Sequence, residues 1–365
     1  MFLTDVTLRE GDQMPGRTFT AEEKIECART LDELGVPYIQ PGFPVTGEKD
    51  RRAVSELAGT TEAEVVALAR ALEGDIDAAL EANADVIETF VSASDRHLEH
   101  LLGTSREEML SMLGEAVDHI HSHGCAAHVT LADAFRTDHE QLVETINTIP
   151  DAQFVSLADS VGARTPATVR EHLDGLEGHV EFDRLGVHFH DDMGCATANV
   201  LAAYRAGVGR ADVSVAGLGE RAGNSALEEV AVACTVDHDD VLGLESGYLI
   251  PACRSVLETL GEGYGKRKAV LGTGIAEHES GIHTAAMLSD PATLEPFDPE
   301  LFGGQRRLVF GEPTGESSAR QLLQRGGIEP GENTVTAYLE TLAVEGPLDL
   351  DEAIAIARQR FGHNQ

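Results

Sequence analysis

The sequence predicts an α/β chain, a closed (β/α)8 TIM barrel with an appended C-terminal helical region. Three observations carry that prediction. Short apolar, β-branched runs recur along the 365 residues, each followed by a longer, acid-rich amphipathic stretch. Eight such units fit within about 235 residues, the size and alternation of one closed barrel. Polar residues collect at the ends of several runs, which is where such a barrel gathers its active-site groups. A doubly wound open sheet is the rival arrangement.

The first run is Phe2 to Val6. It is followed by Thr20-Ala21-Glu22-Glu23, where a threonine three residues ahead of a glutamate marks a helix start before Ile25 and Leu31. Tyr38 to Pro41, Glu64 to Ala69 and Val86 to Val91 are the next strands, and Ser105-Arg106-Glu107-Glu108 repeats the capping signal before Met109, Leu113 and Val117. Ala126 to Leu131, Phe154 to Ala158, Leu185 to His190 and Val213 to Ala216 complete the eight. After Asp240 the pattern changes. Helical text from Leu249 to Gly261 gives way to a Gly/Pro-rich region through Pro313, then to helical stretches near Ala319 to Arg325 and Asp351 to Phe361. Residues 1–262 are therefore expected to form the barrel and 263–365 a C-terminal subdomain.

Composition narrows the functional classes. No apolar run approaches the ~18 residues of a membrane-spanning helix, and the opening residues carry no secretory signal, so a cytoplasmic protein is expected. The five cysteines are scattered, with no close pair of the kind that builds zinc or redox centres, and read as reduced packing residues. With 63 acidic and 27 basic residues the formal charge is −36, and only Lys24, Lys49, Lys266 and Lys268 are lysines. Such self-repulsion becomes tolerable when salt shrinks the screening length to about 3 Å at molar concentration, which points to a halophilic setting. The acids are spread along the chain rather than blocked as in a disordered tail, and their charge disfavours nucleic-acid binding.

The chemistry centres on His188-Phe189-His190-Asp191-Asp192. Side chains at i and i+2 of a strand share a face, so the two imidazoles form a ready pair of metal ligands. The polar run-ends that accompany them are Asp5 to Gln13, Asp159 to Gly162 and Gly217 to Asn224.

Together the segments DVTLREGDQ (5–13), GFP (42–44), DAFRTD (133–138), ADSVG (158–162), HFHDDMGCATAN (188–199), GLGERAGNSALEEV (217–230) and HESGIH (278–283) resemble one family. It is the metal-dependent acyltransferases that include 2-isopropylmalate, homocitrate and citramalate synthases, with hydroxymethylglutaryl-CoA lyase more distant. The resemblance implies a Claisen-type condensation of acetyl-CoA with a 2-oxo acid. Glu10, His188 and His190 are implied as ligands of a divalent cation (zinc, manganese, magnesium, iron or cobalt), with Asn224 in or beside that set. Arg9 is implied beside the developing oxyanion, Gln13 in the same pocket, and the Ser160 hydroxyl, where the family mostly has threonine, against the 2-oxo acid carboxylate. His283 is the implied base for the acetyl methyl proton, with His278 as runner-up. A homodimer that exchanges its C-terminal regions is the family expectation.

Besides Ser160, two positions and one segment depart from the family pattern. Ala132 stands where relatives carry a catalytic glutamate, His128 where homocitrate synthases carry arginine, and Gly311-Glu312-Pro313-Thr314-Gly315 replaces a GKHSG-like element. Asp133 or Glu88 is the neighbouring carboxylate that would stand in at Ala132. Two readings compete with condensation: a metal-dependent lyase or aldolase, and a metal-binding paralogue without turnover. The length leaves no room for the long regulatory domain of feedback-controlled isopropylmalate synthases, so leucine inhibition by that route is not expected.

Overall fold

A computed structural model describes residues 1–362. The chain divides into two compact units, Met1–Tyr264 and Gly265–Gln365, the second described through Gly362.

The first unit is a closed parallel barrel of eight strands in sequential order. These are β1 (Phe2–Asp5), β2 (Tyr38–Gly42), β3 (Glu64–Arg70), β4 (Val86–Ser92), β5 (Ala126–Ala132), β6 (Phe154–Asp159), β7 (Leu185–Phe189) and β8 (Arg210–Val213). β8 pairs with β1 to close the ring, Thr4 lying against Asp212 and Asp5 against Val213. Alternation along each strand sends one set of residues outward under the helices and the other into the barrel. Tyr38, Val66, Val86 and Phe154 pack together as an inward apolar floor. Phe2 and His128 meet its aromatic rings edge-on.

Both expected helix starts form reciprocal capping boxes, Thr20 with Glu23 on the helix Ala21–Leu34 and Ser105 with Glu108 on Arg106–Ser122. Such boxes satisfy two otherwise orphaned backbone donors at each end. The first seven strands fall on the predicted runs to within one or two residues at their ends. The eighth does not. The predicted strand Val213 to Ala216 is largely a turn, with Val215–Gly217 in a 3₁₀ conformation and Ala216 at φ 57°, while the strand itself lies earlier. Its inward positions are the charged Arg210 and Asp212, both buried, so the segment lacks the apolar signature of its neighbours. β7 likewise stops at Phe189, and His190 continues only as an isolated antiparallel bridge to Asn224.

In the second unit the helices Gly281–Ser289, Glu316–Arg325, Glu332–Glu345 and Leu350–Phe361 enclose their own core of Met287, Phe310, Leu322, Tyr338 and Leu342. Two of the four were not expected. Glu332–Glu345 is rich in threonine and valine, which are weak helix formers, and Gly281–Ser289 opens on glycine. No described helix is long and apolar enough to cross a membrane. The five cysteines are unbridged, and burial pushes the Cys27 thiol up to about 12 and that of Cys234 to about 11. Both stay protonated as packing groups.

Candidate functional site

The site is assembled at the C-terminal ends of the strands. Asp5, last in β1, accepts hydrogen bonds from the Thr7 backbone N–H (3.0 Å) and hydroxyl (2.9 Å), turning the chain into the short helix Thr7–Glu10. The Thr7 hydroxyl in turn accepts from the Val215 N–H at 2.8 Å, tying this turn to the segment after β8. Arg9 and Glu10 are thereby set beside β7, which supplies His188. The bridge between His190 and Asn224 completes the group. Glu10, His188, His190 and Asn224 are all buried.

Glu10, His188 and His190 each offer one donor atom within 4.8 Å of the others. The two histidine Nε2 atoms are 3.4 Å apart, and Glu10 Oε1 stands 3.8 Å from Nε2 of His188. Three further atoms of the group, Glu10 Oε2, His190 Nδ1 and Asn224 Oδ1, are buried with no hydrogen-bond partner among the described residues. Unsatisfied buried polar atoms cost free energy, and a cation held by this group would satisfy Glu10 Oε2 and Asn224 Oδ1. One carboxylate, two imidazoles and an amide oxygen fit a divalent cation of intermediate hardness.

Electrostatics agree with that fit. Burial alone would push the Glu10 carboxyl up, but the Arg9 guanidinium and both histidines hold it below its usual range. Burial and the neighbouring His188 press His190 down to about 4, leaving its ring neutral with a lone pair to donate. His188 feels burial in the same direction, but the bond to Asp212 and the charge of Glu10 outweigh it. Its Nδ1 lies 3.1 Å from Asp212 Oδ2, the contact that fixes an Nδ1–H tautomer and aims Nε2 into the group.

Arg9 pairs with Glu10 and donates from Nε to Gln40 Oε1 at 2.6 Å. Ser160, just past β6, accepts at its hydroxyl from the Asp133 N–H (2.9 Å), and its carbonyl accepts from Arg221 (3.0 Å). Gln13 is exposed at the end of the 3₁₀ turn Gly11–Gln13. Asn224 is cradled by a loop that only glycine permits. A Cβ on Gly219 would stand 2.2 Å from Asn224 Nδ2, and one on Gly223, at φ +90°, would stand 1.9 Å from the Gly217 carbonyl oxygen. His283 is exposed on the helix Gly281–Ser289 of the second unit, and His278 is half-buried in its short strand.

The two carboxylates offered as stand-ins at Ala132 are already committed. Asp133 takes a two-pronged ion pair from Arg136 (2.6 and 2.9 Å) and the Ser94 hydroxyl. Glu88 accepts from Gln40 at 2.8 Å, from Arg210 at 3.0 and 3.1 Å, and from the Thr130 hydroxyl. Neither is arranged as a free base. Gln40, Arg210 and Asp212 also reach this group, and no sequence motif marks them as site residues. The signal available was a pair of charges at i and i+2 within a strand, Arg210 and Asp212.

The HMGL-like family model matches residues 1–250, and the homocitrate synthase post-HMGL domain-like model matches residues 270–344. The chain is 40% identical over 349 residues to homocitrate synthase AksA of Methanopyrus kandleri, covering 94% of this chain and 87% of that protein. It is 39% identical to a probable 2-isopropylmalate synthase of the same organism, covering 89% of this chain and 66% of that longer protein. Among solved structures, the HMG-CoA lyase of Bacillus subtilis aligns with a TM-score of 0.65 at 23% identity, over 73% of this chain and 95% of its own. That likeness speaks for the barrel alone.

Proposed function

This chain belongs to the HMGL-like family, and from that membership we propose that it is an acyltransferase condensing acetyl-CoA with a 2-oxo acid. The acetyl methyl loses a proton, its carbon bonds to the ketone carbon, and the ketone oxygen gains a proton. Water then cleaves the thioester, releasing free CoA and a 2-hydroxy di- or tricarboxylate. The observation that carries this reading is the buried convergence of Glu10, His188 and His190, beside the carboxylate and amide oxygens of Glu10 and Asn224 that no described residue satisfies.

In that reading Glu10, His188 and His190 would hold a divalent cation, with Asn224 beside them, and its contribution is Lewis acidity toward the 2-oxo acid oxygens. Arg9 holds a fixed positive charge where negative charge grows on the ketone oxygen, kept in place by Glu10 and Gln40. Ser160 and Gln13 orient the 2-oxo acid, the serine through a hydroxyl already fixed by the Asp133 N–H. His283 takes the methyl proton. A cytoplasmic homodimer working in concentrated salt completes the proposal. The net charge of −36 supports the salt, and the family resemblance supports the dimer.

Thiol release in molar KCl tests it, with acetyl-CoA and a panel of 2-oxo acids that carry or lack a second carboxylate. Free CoA with at least one of them is the expected result. Metal-loaded protein that releases no thiol with any would overturn condensation. It would favour instead the binding paralogue, a reading motivated by Ala132 and by the engagement of Glu88 and Asp133.

A further inference from the structure

The polar contacts inside the barrel close into a ring. Arg9 pairs with Glu10, Glu10 faces His188 at 3.8 Å, and His188 bonds Asp212 at 3.1 Å. Asp212 accepts from Arg210 at 2.8 Å and Arg210 donates to Glu88 at 3.0 Å. Glu88 accepts from Gln40 at 2.8 Å, and Gln40 returns to Arg9 at 2.6 Å. The seven side chains come from the turn after β1 and from β2, β4, β7 and β8. β8 and β4 lie on opposite walls of the eight-stranded ring, so Arg210 spans the interior.

Arg210 is fully buried, and its guanidinium serves two carboxylates, with Nη1 also reaching His128 Nδ1 at 2.6 Å. Burial, followed by the charge of Arg210, pushes His128 well below its usual value, so the ring is neutral and can accept that bond. A lysine could not reproduce this fork, because its ammonium is a single point rather than a planar set of donors. Arg210 touches both arcs of the ring, one leading through Asp212 to His188, the other through Glu88 and Gln40 to Arg9, and the arcs meet a second time where Arg9 pairs with Glu10.

We propose that Arg210 is a positioning residue that sets the metal-binding half and the oxyanion-facing half of the site against each other from within the barrel. The inference rests on the functional reading above for what the two halves do. Its geometry predicts a separable pattern. Asp212→Asn breaks the histidine arc alone, and Gln40→Met the arginine arc alone. Arg210→Met affects both.

The test is the affinity of the metal-free protein for Zn²⁺ alone, by competition with a chromophoric chelator, alongside kcat and KM for thiol release. Outer partners of metal ligands are worth about 10- to 100-fold in affinity. Asp212→Asn is expected to weaken Zn²⁺ binding in that range, Gln40→Met to leave it within about twofold while lowering kcat, and Arg210→Met to do both, with Arg210→Lys restoring only part. If Arg210→Met fails to fold, the pair Arg210→Met with Glu88→Met removes one cation and one anion together and leaves Asp212 with His188 alone, and a tenfold loss of Zn²⁺ affinity is again expected. Wild-type Zn²⁺ affinity in either folded variant overturns the proposal even if the native enzyme turns over. Weakened binding in a protein that releases no thiol leaves the positioning role standing and refutes condensation instead.

Discussion

Lys24→Met is expected to be among the most destabilising single changes in the barrel. Lys24 lies on the helix Ala21–Leu34 with no exposed surface, and its Nζ meets Asp50 Oδ1 at 2.6 Å and Asp12 Oδ2 at 3.1 Å. Asp50 in turn accepts from the Phe43 N–H and the Thr46 hydroxyl, both at 3.0 Å. It packs so closely under Gly42 that a Cβ there would stand 2.7 Å from its Cγ. Methionine fills nearly the same volume, so the cost is electrostatic: two carboxylates, 13% and 8% exposed, lose their shared cation. Removing one partner of a buried pair costs about 3–5 kcal/mol, which for a domain of this size lowers Tm by about 6–20 °C. Lys49 supplies the control. It pairs with the same Asp12 but is 32% exposed, so Lys49→Met is expected to cost at most about 1 kcal/mol. Thermal and urea unfolding in molar KCl measures both. A loss below about 1 kcal/mol for Lys24→Met, or equal losses for the two, would refute the argument.

Three further outcomes are expected. Glu10→Ala and His190→Ala should each lose stoichiometric metal by elemental analysis after dialysis, and full occupancy in both would refute the ligand set. Burial, with the charges of His139 and Arg164, presses His172 down to about 4, so the folded protein keeps it neutral while an unfolded chain protonates it near 6.5. Between those values the unfolded state binds the extra proton, so stability is complete above about pH 6.5 and falls as pH drops toward 4, by up to about 3 kcal/mol. His172→Phe should flatten that slope in urea titrations across the window, and an unchanged slope would contradict the assignment. Gly223→Ala forces a Cβ against the Gly217 carbonyl at positive φ and should cost more than about 2 kcal/mol. Gly16→Ala, also at positive φ but with open space around it, should cost about 1 kcal/mol, and equal effects would remove the steric argument.

The frame was legible because seven strands carry apolar, β-branched runs and both capping boxes are written locally. The eighth strand was misplaced for the reason that makes it informative: its inward face carries Arg210 and Asp212. Periodicity detects strands by what they bury in oil-like surroundings, and a strand that buries an ion pair escapes it. The same holds at the site. Glu10, His188 and His190 could be gathered from motifs, whereas Gln40 and Asp212 matter through contacts across the barrel that no sequence spacing encodes. Glu88 and Asp133 looked interchangeable as stand-ins for the missing carboxylate at Ala132, and only their partners show both to be occupied.

The glycine-lined turn after β8 carries a lesson for sorting relatives by reaction. Gly217, Gly219 and Gly223 are required by the backbone's own close approach and by the space Asn224 occupies. Two enzymes that act on different acids would need the same letters there. A match in that stretch therefore reports shared architecture and does not report the choice of acid.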